Sequence, residues 1–254
     1  MSLSLSDQIV LVSGGGRGLG AAIVRAFARE GARVVINYFK SKEVAEALAN
    51  ELGERAIAVQ ADVSNAQSVK ALIDKVEAAF GAPTTIVHNA LADYSFNGDA
   101  RDTLMSLSAK AVLAQHETAV VGALNLIQAA SPSMEAAGFG RIITVGSNLV
   151  QNPVVPYHDY TSAKAALMAL TRTAAAELGP KGITVNMLSG GLLRTTDASA
   201  ATPEAVFDLI AANTPLRSVT TPQEAADAVL FFASPWSRAV TGQNLIVDGG
   251  LVFG

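Results

Sequence analysis

Short, apolar, β-branched runs alternate with longer stretches of helical periodicity along nearly the whole chain. The runs at 8–12, 33–37, 56–60, 84–88, 141–145, 183–188 and 244–247 predict strands. Between them, 18–30, 42–52, 68–80, 110–130, 162–178 and 223–232 carry apolar residues three and four apart and predict helices. Strand, helix and strand in repetition is the βαβ unit, whose right-handed crossover makes neighbouring strands parallel. The strands are apolar almost throughout, which requires helices on both sheet faces. The pattern predicts an α/β fold with a doubly wound, seven-stranded parallel sheet. No linker rich in Pro, Gly or Ser and no internal repeat divides the 254 residues, so they read as a single domain.

Composition narrows what such a fold can do. Apolar residues make up 50% of the chain and charged residues 16%, against about 25% charged in ordinary soluble domains. Much surface is therefore buried, subunit interfaces included. A net charge of −4 with no basic cluster argues against a broad nucleic-acid-binding face. There is no cysteine, which excludes disulfides, thiolate metal sites and cysteine nucleophiles and fits a reducing cytosol. No apolar run is long enough for a membrane span, and the first residues lack a secretory signal pattern. A cytoplasmic location is the expectation. His88, His116 and His158 are scattered and lack metal-ligand spacing, so no metal site is expected. His158 is a candidate pocket residue, and His116-Glu117-Thr118 is a polar patch on the long helix.

Two constellations carry chemistry. Ser13, Gly14, Gly15, Gly16, Arg17, Gly18, Leu19 and Gly20 follow the first strand and open the first helix. Glycines let the backbone turn tightly and approach a phosphate, and a helix start offers free N–H groups to it. The strand–turn–helix setting marks this as a dinucleotide site rather than a flexible turn. Such a site usually has an acid at the end of the second strand for the ribose 2′-hydroxyl. Here that end reads Ile36-Asn37-Tyr38-Phe39-Lys40, and Arg17 lies inside the loop. A guanidinium suits a 2′-phosphate, so the cofactor is expected to be NADP(H). In the second constellation, Tyr160 and Lys164 lie one helical turn apart, and Ser147 follows the strand at 141–145. A tyrosine is a proton donor at neutral pH, and a nearby ammonium lowers its pKa. Residues 91–103 and 192–215 break the strand–helix pattern just past strand ends, where ligands bind in open sheets. Both read as substrate walls or lids, the second as a long polar loop.

These residues together resemble the short-chain dehydrogenase/reductase superfamily, over roughly residues 7 to 254. Its carriers are Ser13–Gly20, Asp62-Val63, His88-Asn89-Ala90, Ser147, Tyr160 with Lys164, Ile183-Thr184-Val185-Asn186 and Val247-Asp248-Gly249-Gly250. The likeness is greatest to 3-oxoacyl-(acyl-carrier-protein) reductases of fatty acid biosynthesis. It implies a Rossmann-type fold, a substrate lid around 191–215 and a homotetramer. It also implies NADP-dependent interconversion of a carbonyl and a secondary alcohol, a 3-oxoacyl thioester among the candidate substrates. By resemblance, Tyr160 donates the proton, Lys164 binds the nicotinamide ribose and lowers the Tyr160 pKa, and Ser147 orients the carbonyl. The cofactor site would comprise Ser13, Gly14, Gly16, Arg17, Gly18, Leu19, Gly20, Asn37, Asp62, Val63, Asn89, Ala90, Tyr160, Lys164, Gly191, Leu193 and Thr195. Asp62 would hold the adenine and Thr195 meet the carboxamide.

The chain departs from the family pattern at four places. Asn-Ala-Gly becomes Asn89-Ala90-Leu91, and Pro-Gly becomes Gly190-Gly191. The helix Asn that distorts its helix and holds a water in the proton path is Ala119. Of the two basic residues that dock acyl carrier protein, Lys181 is present and the other falls at Gly138, beside Glu135. The rival reading is a non-catalytic dinucleotide-binding regulatory protein, favoured by Ala119 and opposed by the Ser147, Tyr160 and Lys164 set.

Overall fold

The computed structural model describes residues 3–92 and 101–253. Strands β1 (Ile9–Ser13), β2 (Arg33–Tyr38), β3 (Ala56–Gln60), β4 (Thr85–His88), β5 (Gly140–Ser147), β6 (Ile183–Gly190) and β7 (Asn244–Val247) form one sheet in the order β3-β2-β1-β4-β5-β6-β7. Every pairing is parallel. The order reverses between β1 and β4, and that switch point opens the crevice where ligands bind beyond the strands' carboxyl ends.

Helices α1 (Gly18–Arg29), α2 (Lys42–Leu52) and α3 (Ala66–Phe80) follow the first three strands. α4 (Ala109–His116) and α5 (Gly122–Ala137) precede β5, α6 (His158–Leu178) precedes β6, and α7 (Glu204–Asn213) and α8 (Pro222–Ala233) precede β7. Alternate strand residues face opposite helix layers, as the period of two requires. Val10, Val12 and Ile36 pack with Ile23, Phe27 and Phe232 on one side. Leu11 and Val35 pack with Leu72, Leu126 and Ile142 on the other.

The predicted strands and most helices lie where the periodicity put them, and three differences matter for the site. The single helix predicted at 110–130 is interrupted by a π-helical turn at Glu117–Val121 and then runs on through Pro132 to Gly138, whose φ of 63° makes the left-handed cap. Buried Met134 pulls that last stretch onto the core. α6 starts at His158 rather than 162, because Asp159 and Tyr160 are buried with its first turn. The segment 192–215 is not a polar loop throughout: it contains α7, anchored by buried Phe207. Val206, Phe207 and Ile210 already carried that helical spacing. Of the other predicted wall, 91–103, residues 93–100 lie outside the described residues.

Candidate active site

At the end of β1 the backbone makes the room. Gly14 has φ of 61°, and a Cβ on it would meet the Ala90 Cα at 3.0 Å. Gly18 has φ of 53°. A Cβ on Gly20 would lie 2.1 Å from the Gly14 carbonyl oxygen, so α1 can seat on the loop only with glycine there. Gly16 faces Ala45 at ordinary contact distance, and Leu19 packs half-buried against the core. Arg17 is the N-cap residue of α1 but its side chain caps nothing, which leaves the first N–H groups of the helix to an anion.

The end of β4 locks this loop in place. The Ser13 Oγ accepts from the backbone N–H groups of Asn89 and Ala90, each at 3.0 Å. The Asn89 Nδ2 donates to the carbonyls of Ser13 and Gly14 at 3.2 and 3.1 Å. Asn37 supports the loop from β2: its carbonyl accepts from the Gly15 N–H, while its side-chain amide is taken up by the Val59 and Ala61 carbonyls. Asp62 accepts from the Ser64 N–H and hydroxyl at 2.9 and 2.7 Å. Val63 is buried, and its carbonyl accepts from Asn125 Nδ2. Arg17 stands exposed, 3.6 Å from Asp197 of the lid.

Across the crevice, side chains rather than glycines shape the site. Ser147 ends β5 instead of following it, because the strand runs two residues beyond 145. Ser147, Tyr160 and Lys164 are 5%, 6% and 4% exposed. Burial pushes the Tyr160 hydroxyl up to about 12, and a hydrogen bond from Ser147 works the other way. The expected lowering by Lys164 is not seen: burial and Ser147 are the influences on the phenol. The Lys164 Nζ donates to the Val145 carbonyl at 2.7 Å, 5.5 Å from the Tyr160 ring centroid, and burial holds its own pKa down to about 8. At neutral pH Tyr160 holds its proton.

Beyond β6, Gly191 approaches Asn148 and Asp248 so closely that a Cβ would meet both at 3.1 Å. Leu193 is buried and Thr195 exposed at the start of the lid. Asn148 donates to Asp248 at 2.9 Å, which fixes the floor beside Ser147. His158 is half-buried at the start of α6, and His116 is half-buried with its Nδ1 3.0 Å from the Val112 carbonyl.

Two residues near the site were assigned no role from the sequence. His88, at the end of β4, is buried between Ser13 and Ala119. Its place in His88-Asn89-Ala90 was the available signal. The Arg101 Nη2 donates to both Asp159 carboxylate oxygens, at 2.7 and 2.9 Å, and its guanidinium lies 5.3 Å from the Tyr157 ring centroid. That pair ties the end of the first wall to the first turn of α6. The partners are 58 residues apart, so no local pattern announces it.

The family described as enoyl-(acyl carrier protein) reductase matches residues 14–252. The chain belongs to the short-chain dehydrogenase/reductase family. It is 35% identical over 247 residues to the 3-oxoacyl-(acyl-carrier-protein) reductase FabG of Staphylococcus aureus, covering 95% of this chain and 96% of that one. It is 34% identical to nodulation protein G of Azospirillum brasilense, over 98% of this chain and all of the relative. It is likewise 34% identical to the 3-oxoacyl-(acyl-carrier-protein) reductase of Synechocystis, over 98% and 99% of the two chains. This short-chain reductase is an oxidoreductase, and its family uses a nicotinamide dinucleotide. The uncapped start of α1, the close-approach glycines and the ordered loop at Ser13–Gly14 fit such a group. Among the described residues no group of metal-ligating side chains converges, and no helix is long and apolar enough to cross a membrane.

Proposed function

We propose that this reductase uses NADPH to reduce the 3-oxo group of a small acyl thioester to a secondary alcohol. The observation that carries the reading is the joint burial of Ser147, Tyr160 and Lys164 at the carboxyl end of β5, in the crevice that the glycine loop opens. When bound, the nicotinamide cofactor supplies the hydride. Tyr160, protonated at neutral pH, delivers the proton to the developing alkoxide. Ser147 donates a hydrogen bond that orients the carbonyl oxygen toward Tyr160. Lys164 holds the nicotinamide ribose and supplies positive charge beside the phenol. The loop residues Ser13, Gly14, Gly16, Gly18, Leu19 and Gly20 cradle the pyrophosphate, with Asn37 bracing the loop through its backbone. Asp62, Val63, Asn89 and Ala90 hold the adenosine side, and Gly191, Leu193 and Thr195 the carboxamide side. Arg17 takes the 2′-phosphate, since no acid stands at the end of β2.

Lys181 bears on the thioester's handle. Its Nζ is 2.9 Å from a Glu135 oxygen, and the neighbouring docking position is Gly138. A single cation already paired with an acid is a poor site for an acidic carrier protein. We therefore read coenzyme A or another small thiol as the handle, although two of the relatives above are named for acyl-carrier-protein substrates. The test is a panel of 3-oxoacyl thioesters on carrier protein and on coenzyme A, with NADPH and NADH. The coenzyme A thioesters should be reduced at least as efficiently as the carrier-linked ones, and with NADPH preferred. Turnover of simple ketones alone would discard the thioester class.

The same reading takes the 254 residues as one domain with a lid at 191–215, working in the cytoplasm as a homotetramer. Exposed Leu113, Val121 and Leu124 along α4, the π-helical turn and α5, and Trp236, Leu245 and Phe253 near β7, support two self-association faces. A monomer by light scattering would refute the assembly.

A further inference from the structure

His88 meets two elements that bear on the reacting groups. The π-helical turn at Glu117–Val121 widens the helix and disturbs the regular pairing of its carbonyls. One of them, on Ala119, lies 3.0 Å from the His88 Nε2. The other ring nitrogen, Nδ1, lies 3.1 Å from the Ser13 Oγ. A carbonyl only accepts, so Nε2 carries the proton and Nδ1 is bare. The Ser13 hydroxyl must then donate to Nδ1, while its oxygen accepts from the Asn89 and Ala90 N–H groups. Each hydrogen in this chain has one consistent position.

The imidazole is also fixed by shape. It is 2% exposed, and a Cβ on Gly122 would come within 3.1 Å of its Cε1 and 2.9 Å of Val63 Cγ2. The glycine at the first position of α5 leaves the slot the ring fills. Burial and the nearby Lys164 both oppose a second proton on His88. The chain thus runs from the cofactor loop, through a neutral ring, to the widened turn.

We propose that His88 is a positioning residue for proton delivery: it pins the widened turn to the end of β4 and so keeps the setting of Lys164 fixed. This rests on the reductase reading above, in which each turnover removes one proton from Tyr160. Solvent must return one to the phenol, which shares α6 with Lys164. α4 and the π-helical turn are packed against α6, which carries both groups. A turn free to move would let that path vary without altering the cofactor loop's glycines.

The test compares His88→Leu, His88→Gln and Tyr160→Phe in the full-length enzyme. In His88→Leu, kcat should fall about tenfold, about what one lost hydrogen bond is worth when carried into the barrier. Its solvent deuterium isotope effect should rise, and NADPH affinity by fluorescence titration should stay within about threefold. His88→Gln keeps an N–H within reach of the Ala119 carbonyl and should recover most of kcat. Nitrogen NMR of the wild type should show the Nε2–H tautomer. Wild-type kcat and isotope effect in His88→Leu would overturn the proposal. So would an Nδ1–H tautomer, or a loss of kcat with an unchanged isotope effect, which is the mark of packing alone. If His88→Leu does not fold, the glutamine variant and the tautomer decide. Tyr160→Phe separates the two levels: an active Phe variant sinks the reductase reading, whereas an inactive one beside an unaffected His88→Leu sinks only the role of His88.

Discussion

At the carboxyl end of β1 the chain makes its site by leaving atoms out, whereas at the carboxyl end of β5 it does so by burying polar ones. Gly14, Gly18 and Gly20 sit where backbone conformation or a 2.1 Å approach forbids a side chain, and the donors offered are backbone N–H groups. Across the crevice, Ser147, Tyr160 and Lys164 lie under almost no solvent, and burial shifts the last two in opposite directions from their ordinary values. On the proposed reading, the first end would recognise a phosphate almost regardless of neighbours. The second depends on what surrounds it, because low dielectric strengthens each contact and penalises each lost partner. Substitutions should therefore act locally at one end and cooperatively at the other.

The largest effect is expected at the buried end. Tyr160→Phe keeps the ring and removes the acid, and general acid catalysis is worth about 10²–10⁴-fold. We expect kcat to fall by that range while the dissociation constant for NADPH stays near wild type. Steady-state kinetics and a fluorescence titration check both halves. A Phe variant with more than half the activity would erase the contrast between the two ends.

At the open end, Arg17→Ala should cost less and cost it selectively. Arg17 is exposed and its one ion pair among the described residues, to Asp197, is long at 3.6 Å, so the fold gains little from it. A charge-assisted hydrogen bond to a 2′-phosphate is worth roughly 1.5–3 kcal/mol, or about 10- to 150-fold. That loss should appear in kcat/KM for NADPH and be nearly absent for NADH. Equal losses would show that Arg17 serves the loop's shape rather than the phosphate.

A smaller effect belongs to stability. His88 is held down to about 4 from an ordinary 6.5, first by burial and then by Lys164. Between those values the unfolded chain takes up a proton that the folded chain refuses. Stability is thus full above pH 6.5 and is lost as pH falls toward 4, by about 2 kcal/mol at pH 5. Urea denaturation at about pH 7 and 5 should show the loss in the wild type, and a difference smaller by that amount in His88→Gln. Equal differences would mean that the imidazole is not held neutral by its site.

The same contrast explains what the sequence disclosed. The glycine loop was legible because its requirement is local: a strand, a turn without side chains and a helix start within a dozen or so residues. The strands were legible because both sheet faces are covered, which makes each one a plain apolar run. Tyr160 and Lys164 were legible through their spacing and the family likeness, but the direction of the Tyr160 shift was not. That depends on burial, which is not written in a spacing. His88 with Ala119 and Arg101 with Asp159 are contacts between distant parts of the chain, invisible to any local window. Helix α7 was the avoidable miss, since Thr, Ala and Asp nearby masked an apolar face that Phe207 buries.

The smallest change is expected where the family pattern and this chain differ most plainly. The apolar spacing predicted one unbroken helix over 110–130, and Ala119, as the strongest helix former, gives no reason for a break. The turn is nevertheless widened there, and its carbonyl is held by His88. Ala119→Asn would therefore add a side chain to a turn that already has its shape. The methyl is 3% exposed, so the extra atoms must be accommodated by the packing around it, at a stability cost of about 1–3 kcal/mol. The chemistry should barely notice: kcat should change by less than about tenfold, under about 1.4 kcal/mol in the barrier. Measuring kcat over about pH 6–9 on the best substrate of the panel decides it. A gain of about 100-fold or more would mean that the path to Tyr160 is broken without the asparagine. His88 would then hold a turn that does no work for the proton, and the buried end would be the less complete of the two.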